Sequence, residues 1–173
     1  CITGQKEMVS KIYFPREVLP LAYVTYELVN FLLTLIVVVA VVLISGKGLN
    51  PLAMLCLPVV IIAEYLLALG LAFITSSIMV YFRDMVNIIG IITMAWQFLT
   101  PVMYSVDMVP EEIRKIFYLN PMTPIILAYR DILYFGQVPE LKNLVHGFLL
   151  SIVLIILGWN IFGKLKKHFA EEL

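Results

Sequence analysis

Charge-free stretches measure this chain, because about 20 apolar residues rising 1.5 Å each cross a hydrocarbon core of about 30 Å. Four stretches are long enough. The first lies between Glu27 and Lys47, and its β-branched Ile36–Val42 segment must be helical in lipid, where an isolated strand would leave its backbone unsatisfied. The Ser45-Gly46-Lys47-Gly48-Leu49-Asn50-Pro51 turn follows, with Asn50 as cap and Pro51 at the first helical position. The second stretch, Leu49 to Phe82, is about 34 residues or roughly 51 Å. It either tilts and protrudes or is broken at Pro58. Glu64 is accordingly either interfacial, the expectation adopted here, or at mid-bilayer. The third runs from Met85 to Val106 and the fourth from Asn143 to Gly163.

The fold class expected is all-α, a polytopic helical membrane protein with transmembrane segments at 21–46, 49–82, 85–106 and 142–163. Residues 107–136 include an apolar stretch, Ile116 to Phe135, that is interrupted by Asn120-Pro121, Pro124 and Arg130-Asp131, so neither half of it can cross alone. They are predicted to form short re-entrant or interfacial helices, the first of which starts at Pro110. In that helix Glu111 and Glu112 occupy the first turn, and Ile113, Ile116 and Phe117 share a face. Residues 1–20 form an amphipathic surface helix: Met8, Val9, Ile12 and Tyr13 recur at helical spacing, and Phe14-Pro15-Arg16-Glu17 ends the run. It either rests on lipid headgroups or docks a partner.

Composition agrees with the pattern. Of 173 residues, 62% are hydrophobic and only 14% charged, with a mean hydropathy of +0.99, which excludes a soluble domain. Twelve Lys+Arg against twelve Asp+Glu give no net charge, so a nucleic-acid partner is not expected. Counting Lys and Arg near span ends puts Lys6, Lys11, Arg16, Arg83, Lys164, Lys166 and Lys167 on one side. Lys47, Arg114, Lys115, Arg130 and Lys142 fall on the other. The majority places both termini, including the 164–173 tail, in the cytoplasm. The chain starts at Cys1 without a signal-peptide pattern and is expected to be a fragment.

Catalytic chemistry is sparse. His146 and His168 are isolated, Cys1 and Cys56 cannot build a metal site, and no Gly-x-Ser-x-Gly elbow occurs. Gly46-Lys47 lacks the remainder of a phosphate-binding loop, so no cofactor and no metal is expected on this chain, and it is not expected to be an enzyme. Trp96, Gln97 and Phe98, with Thr93 and Thr100, give the third span a mixed polar and aromatic face suited either to a sugar path or to helix–helix hydrogen bonding. Arg83-Asp84 is a topological anchor or a coupling element. Arg130-Asp131 is expected at a watery outer vestibule.

The order of motifs resembles the permease subunit of type-2 ATP-binding-cassette exporters, especially those for polysaccharide, O-antigen, capsule and teichoic (polyol-phosphate) polymers. The motifs are Phe14-Pro15-Arg16-Glu17-Val18-Leu19-Pro20, Tyr81-Phe82-Arg83-Asp84, Thr100-Pro101-Val102-Met103-Tyr104, Leu119-Asn120-Pro121 and Tyr129-Arg130-Asp131, followed by a basic tail. The resemblance implies six spans in the whole subunit, with 1–173 the C-terminal two-thirds of one permease domain. Implied partners are a second permease copy, two ATPase subunits that bind ATP and Mg, a lipid-linked glycan and membrane lipid, in the cytoplasmic membrane of a bacterium or archaeon. Lys11, Phe14, Pro15, Arg16, Glu17, Arg83 and Asp84 are then coupling or gate residues. Pro110, Ile113, Phe117, Asn120, Pro121, Arg130 and Asp131 form the outer gate, and Trp96, Gln97, Phe98 and Tyr104 are conduit candidates. A related drug or lipid exporter, or a membrane scaffold without transport, are the other expectations.

Overall fold

The computed structural model describes residues 15–45, 50–82, 84–104, 108, 110, 112 and 117–166. Of the surface helix expected over 1–20, Val18 to Pro20 already belong to the first long helix, and residues 1–14, with Lys11 and Phe14, lie outside the described residues. So do Arg83, Ile113 and most of the short helix expected after Pro110. The described residues form helices α1 (Val18–Ile44), α2 (Pro51–Tyr81), α3 (Met85–Leu99), α4 (Met122–Arg130) and α5 (Leu141–Leu165), with α4 running into a π-helical turn, Asp131–Phe135. Three of them, α1, α2 and α5, are long and apolar enough to cross a membrane, and α3 is a shorter apolar helix. The all-α membrane class expected from the sequence is the class observed.

Local chemistry accounts for the helix ends. At the start of α2 the Asn50 side chain accepts from the Leu52 amide at 3.0 Å with Pro51 in the first turn, and α2 then continues unbroken through Pro58 for 31 residues. Of the two expectations for this stretch, the unbroken helix is the one found. By contrast, α3 stops at Leu99 and does not reach Val106, because Thr100 is extended (φ −90°, ψ 126°) ahead of Pro101. Proline disfavours helical geometry in the residue before it. At about 22 Å, α3 falls short of a hydrocarbon core of about 30 Å. Gly136 ends the π turn in the left-handed region (φ 62°), where a glycine has no Cβ to clash.

The core follows α2. On one half of the helix Leu57, Val60, Ala63 and Leu67 pack with Leu35 of α1 and with Ile125, Ala128 and Ile132. On the other half Leu69, Phe73 and Val80 pack with Val24 and Phe162. Among the described residues the α2–α5 contact is the most extensive, and glycines permit it. A Cβ on Gly158 would lie 2.4 Å from the Gly70 carbonyl oxygen, and one on Gly70 would lie 2.6 Å from the Leu154 carbonyl carbon. Phe73 fills the space beside this crossing, edge-on to Trp159 at 5.4 Å and to Phe162 at 5.3 Å. Ser77 and Ser151 are fully buried here, and each donates to a carbonyl one turn back in its own helix, Phe73 at 2.6 Å and Gly147 at 2.8 Å. Small residues thus bring the backbones together without stranding a polar group.

Candidate functional site: the two polar ends of the bundle

The start of α1, the end of α2 and the end of α5 meet at one end of the bundle, called proximal here. The last carbonyls of α5 have no partner within the helix, and side chains from the other two elements meet them. Arg16 Nη1 donates to the Lys166 carbonyl at 2.8 Å and Tyr81 Oη to the Leu165 carbonyl at 3.0 Å. Lys166 Nζ in turn forms an ion pair with the Glu17 carboxylate. The Lys166 hydrogen bond, aided by Glu17's own backbone, holds that carboxyl below the ordinary range, against the opposing effect of burial. Of the expected coupling residues, Arg16 and Glu17 are therefore brought together with Lys166, a partner that the charge pattern placed on this side of the membrane without pairing it. Pro15 is exposed, and its carbonyl accepts the Val18 amide at 3.1 Å. Asp84 stands before α3 without a side-chain capping bond.

At the opposite, distal end, Asn120 is the hub. Its Oδ1 accepts from Trp96 Nε1 at 2.8 Å and from the Met122 amide at 3.0 Å, and its Nδ2 donates to Thr100 Oγ1 at 3.0 Å. Thr100 Oγ1 in turn donates to the Trp96 carbonyl at 2.9 Å. Asn120 and Thr100 are both buried, where unmade hydrogen bonds are costly. Pro121 at the head of α4 has φ −65°, the value its ring fixes and a helix start requires. Arg130, at the other end of α4, turns one guanidinium nitrogen onto three carbonyls, those of Pro101, Val102 and Tyr104, at 3.0, 3.2 and 3.1 Å. Tyr104 closes the segment by donating to the Phe98 carbonyl at 2.9 Å and by meeting Phe117 edge-on at 5.9 Å.

The sequence motifs Thr100-Pro101-Val102-Met103-Tyr104, Asn120-Pro121 and Tyr129-Arg130 thus converge in space. Arg130, expected at a watery outer vestibule, binds backbone carbonyls of the 101–104 segment. Its neighbour Asp131 is half-buried. Burial pushes the Asp131 carboxyl up and the Glu140 charge adds to this, against the pull of Arg130. Pro110 is exposed.

Between α2, α3 and α4 lies an open, largely apolar cavity of about 590 Å³. Trp96 and Gln97, with Thr75 and Thr93, are among its lining residues, while Phe98 and Tyr104 are not. Trp96 nevertheless commits its one polar atom to Asn120, which is the helix–helix hydrogen bonding that its mixed face also allowed. A further polar pair was not foreseen: Tyr129 Oη donates to Glu64 Oε2 at 2.6 Å, with Phe31 edge-on to the Tyr129 ring at 5.8 Å. A lone acid in an apolar run was its only signal in the sequence. Its partner, 65 residues away, carried none.

A helical bundle with three membrane-length helices, polar clusters at both ends and a short helix that turns back at the distal end defines a multi-pass membrane protein. The model of the ABC-2 type transporter family matches residues 2–134, more than half of the chain, and the protein belongs to that family. The chain is 30% identical over 167 residues to an O-antigen export system permease protein RfbA of Klebsiella pneumoniae, a match covering 96% of this chain and 64% of that protein. It is 29% identical over 174 residues to the protein of the same name from Myxococcus xanthus, covering 99% of this chain and 66% of that protein. The chain therefore spans just under two thirds of the length of the first of these curated relatives.

Proposed function

We propose that the chain is part of the membrane-spanning subunit of an ATP-driven exporter that moves a lipid-linked polysaccharide or polyol-phosphate polymer across the cytoplasmic membrane. It works as a transport subunit and not as an enzyme. ATP and Mg are bound by two separate ATPase subunits, and a second copy of the subunit completes the conduit. The observation that carries this reading is the similarity to O-antigen export permeases along 96% of the chain. The fold supports it with a division of labour. In this reading the proximal cluster of Arg16, Glu17, Tyr81 and Lys166, which ties three helices together, faces the ATPase at the cytoplasmic side. The distal hub of Asn120 and Arg130 then serves the outer gate.

The mechanism follows from that arrangement. Closure of the ATPase dimer displaces the start of α1. The Arg16 and Glu17 contacts carry the displacement to the end of α5, and the α2–α5 contact carries it across the membrane. Sugars of the cargo pass along polar and aromatic side chains in the conduit.

The test is to co-express the full-length subunit with the ATPase encoded nearest to it, purify through a tag on the subunit, and assay ATP hydrolysis. A stable complex whose hydrolysis responds to lipid-linked glycan is expected. A subunit that purifies without any ATPase would overturn the exporter reading in favour of a membrane scaffold. A complex that responds to drugs or simple lipids and not to glycan would move the cargo to that class.

A further inference from the structure

Helix α3 presents a puzzle in packing, since none of its residues from Met85 to Leu99 is buried among the described residues. The cavity of about 590 Å³ separates part of it from α2 and α4. Among the described residues, burial therefore does little to fix its position. What meets it is polar and concentrated at its distal end: the Asn120 amide on Trp96 and Thr100, and the Arg130 guanidinium on the carbonyls of the segment that continues from it. Both side chains come from the α4 region, which is itself well seated. Thr123, Pro124, Ile125 and Ala128 of α4 are buried, and Pro124 lies so close to α5 that a Cβ on Gly147 would meet its Cγ at 3.3 Å.

We propose that Asn120 and Arg130 are positioning residues that tether the distal end of α3 and its 101–104 continuation to α4. This hydrogen-bonded tether, in place of side-chain packing, sets the distance between the two helices and so the width of the cavity between them. The chemistry suits the task. Asn120 and Thr100 are buried, where their donors and acceptors have few alternative partners, so these hydrogen bonds can fix the end of a helix that is otherwise little buried. The two N–H groups on Arg130 Nη2 are shared among the three carbonyls. The inference goes beyond the proposed function and holds whatever the cargo.

The test measures distance and needs no transport. In the full-length protein with Cys1 and Cys56 replaced by Ser, spin labels are placed at Met94→Cys on α3 and Phe135→Cys at the end of the π turn, both exposed positions. A control pair is placed at Ile36→Cys on α1 and Leu149→Cys on α5. Pulsed electron paramagnetic resonance in lipid nanodiscs then gives each distance distribution. With Asn120→Ala and Arg130→Ala together, the α3–α4 distribution is expected to broaden about two-fold while the control pair keeps its width. Arg130→Lys, which keeps a cation with three donors, should recover part of the narrowing, and Trp96→Phe alone should give a smaller broadening. An unchanged α3–α4 width in the double variant would overturn the proposal, because packing against other parts of the protein would then be holding α3. Equal broadening of both pairs would overturn it too, since the residues would then be general supports of the fold.

Discussion

Helices α2 and α5 are held together differently from α3 and α4, and the contrast divides the molecule. In the first pair two glycine backbones touch, Phe73 locks between Trp159 and Phe162, and each buried serine is satisfied within its own helix. In the second pair an amide and a guanidinium span the gap, and among the described residues no side chain of α3 from Met85 to Leu99 is fully buried. Close backbone approach gives dispersion contacts along a whole interface. A polar tether fixes one point of the helix. The α2–α5 pair is joined by close packing and the α3–α4 pair by hydrogen bonds.

The largest effect should come from breaking the close-packed pair. Gly158→Val sets a side chain against the Gly70 carbonyl, where even a Cβ would lie at 2.4 Å and no flexible group can yield. A loss of about 3 kcal/mol is expected, seen as a large drop in the thermal midpoint of the detergent-solubilised protein. An unchanged midpoint would show that α2 and α5 are not in backbone contact. Next comes the tether. Asn120→Ala leaves the Trp96 N–H, the Met122 N–H and the Thr100 hydroxyl short of a partner, at a cost of about 2 kcal/mol. Indole fluorescence should report it, with Trp96 shifting its emission while Trp159, seated on Phe73, does not.

Tyr129→Phe tests a link between the two regions, since it removes only the hydroxyl bonded to Glu64. A loss of about 0.6 kcal/mol is expected. A loss as large as that of Asn120→Ala would make Glu64, and not the Asn120 hub, the main support of the distal end. The smallest effect belongs to the proximal ion pair. Glu17 titrates below its ordinary value because Lys166 binds the charged form. Its contribution is thus complete above the unfolded carboxyl value and disappears as pH falls through the lower folded one. Both side chains are partly exposed, so the effect should stay under about 1 kcal/mol and shrink with salt. Melting curves of the parent and Glu17→Gln should converge between neutral pH and about pH 3. A gap that persists at low pH would assign the effect to something other than the ion pair.

Much of the framework was legible in the sequence. Charge-free length marked α1, α2 and α5. The Asn50-Pro51 cap was readable as a motif, and the short stretch around Asn120-Pro121 and Arg130 was recognisable as unable to cross. The end of α3 was misjudged by counting apolar residues through Thr100-Pro101, although the proline that stops the helix stood in plain sight. The partners of Glu64, Trp96 and Arg130 could not be read, because each lies more than twenty positions away and no local periodicity links them.

The sequence alone determined that this protein lives in a bilayer as helices and roughly where those helices lie. That follows from hydropathy and from the requirement that every backbone group in lipid be satisfied locally. Tertiary structure decided which helices touch, because an interface in lipid is chosen by shape and by individual hydrogen bonds, with no difference in hydrophobicity to announce it. Gly70 and Gly158 are unremarkable glycines until their backbones meet. Arg130 is an expensive charge in an apolar segment until three carbonyls surround it.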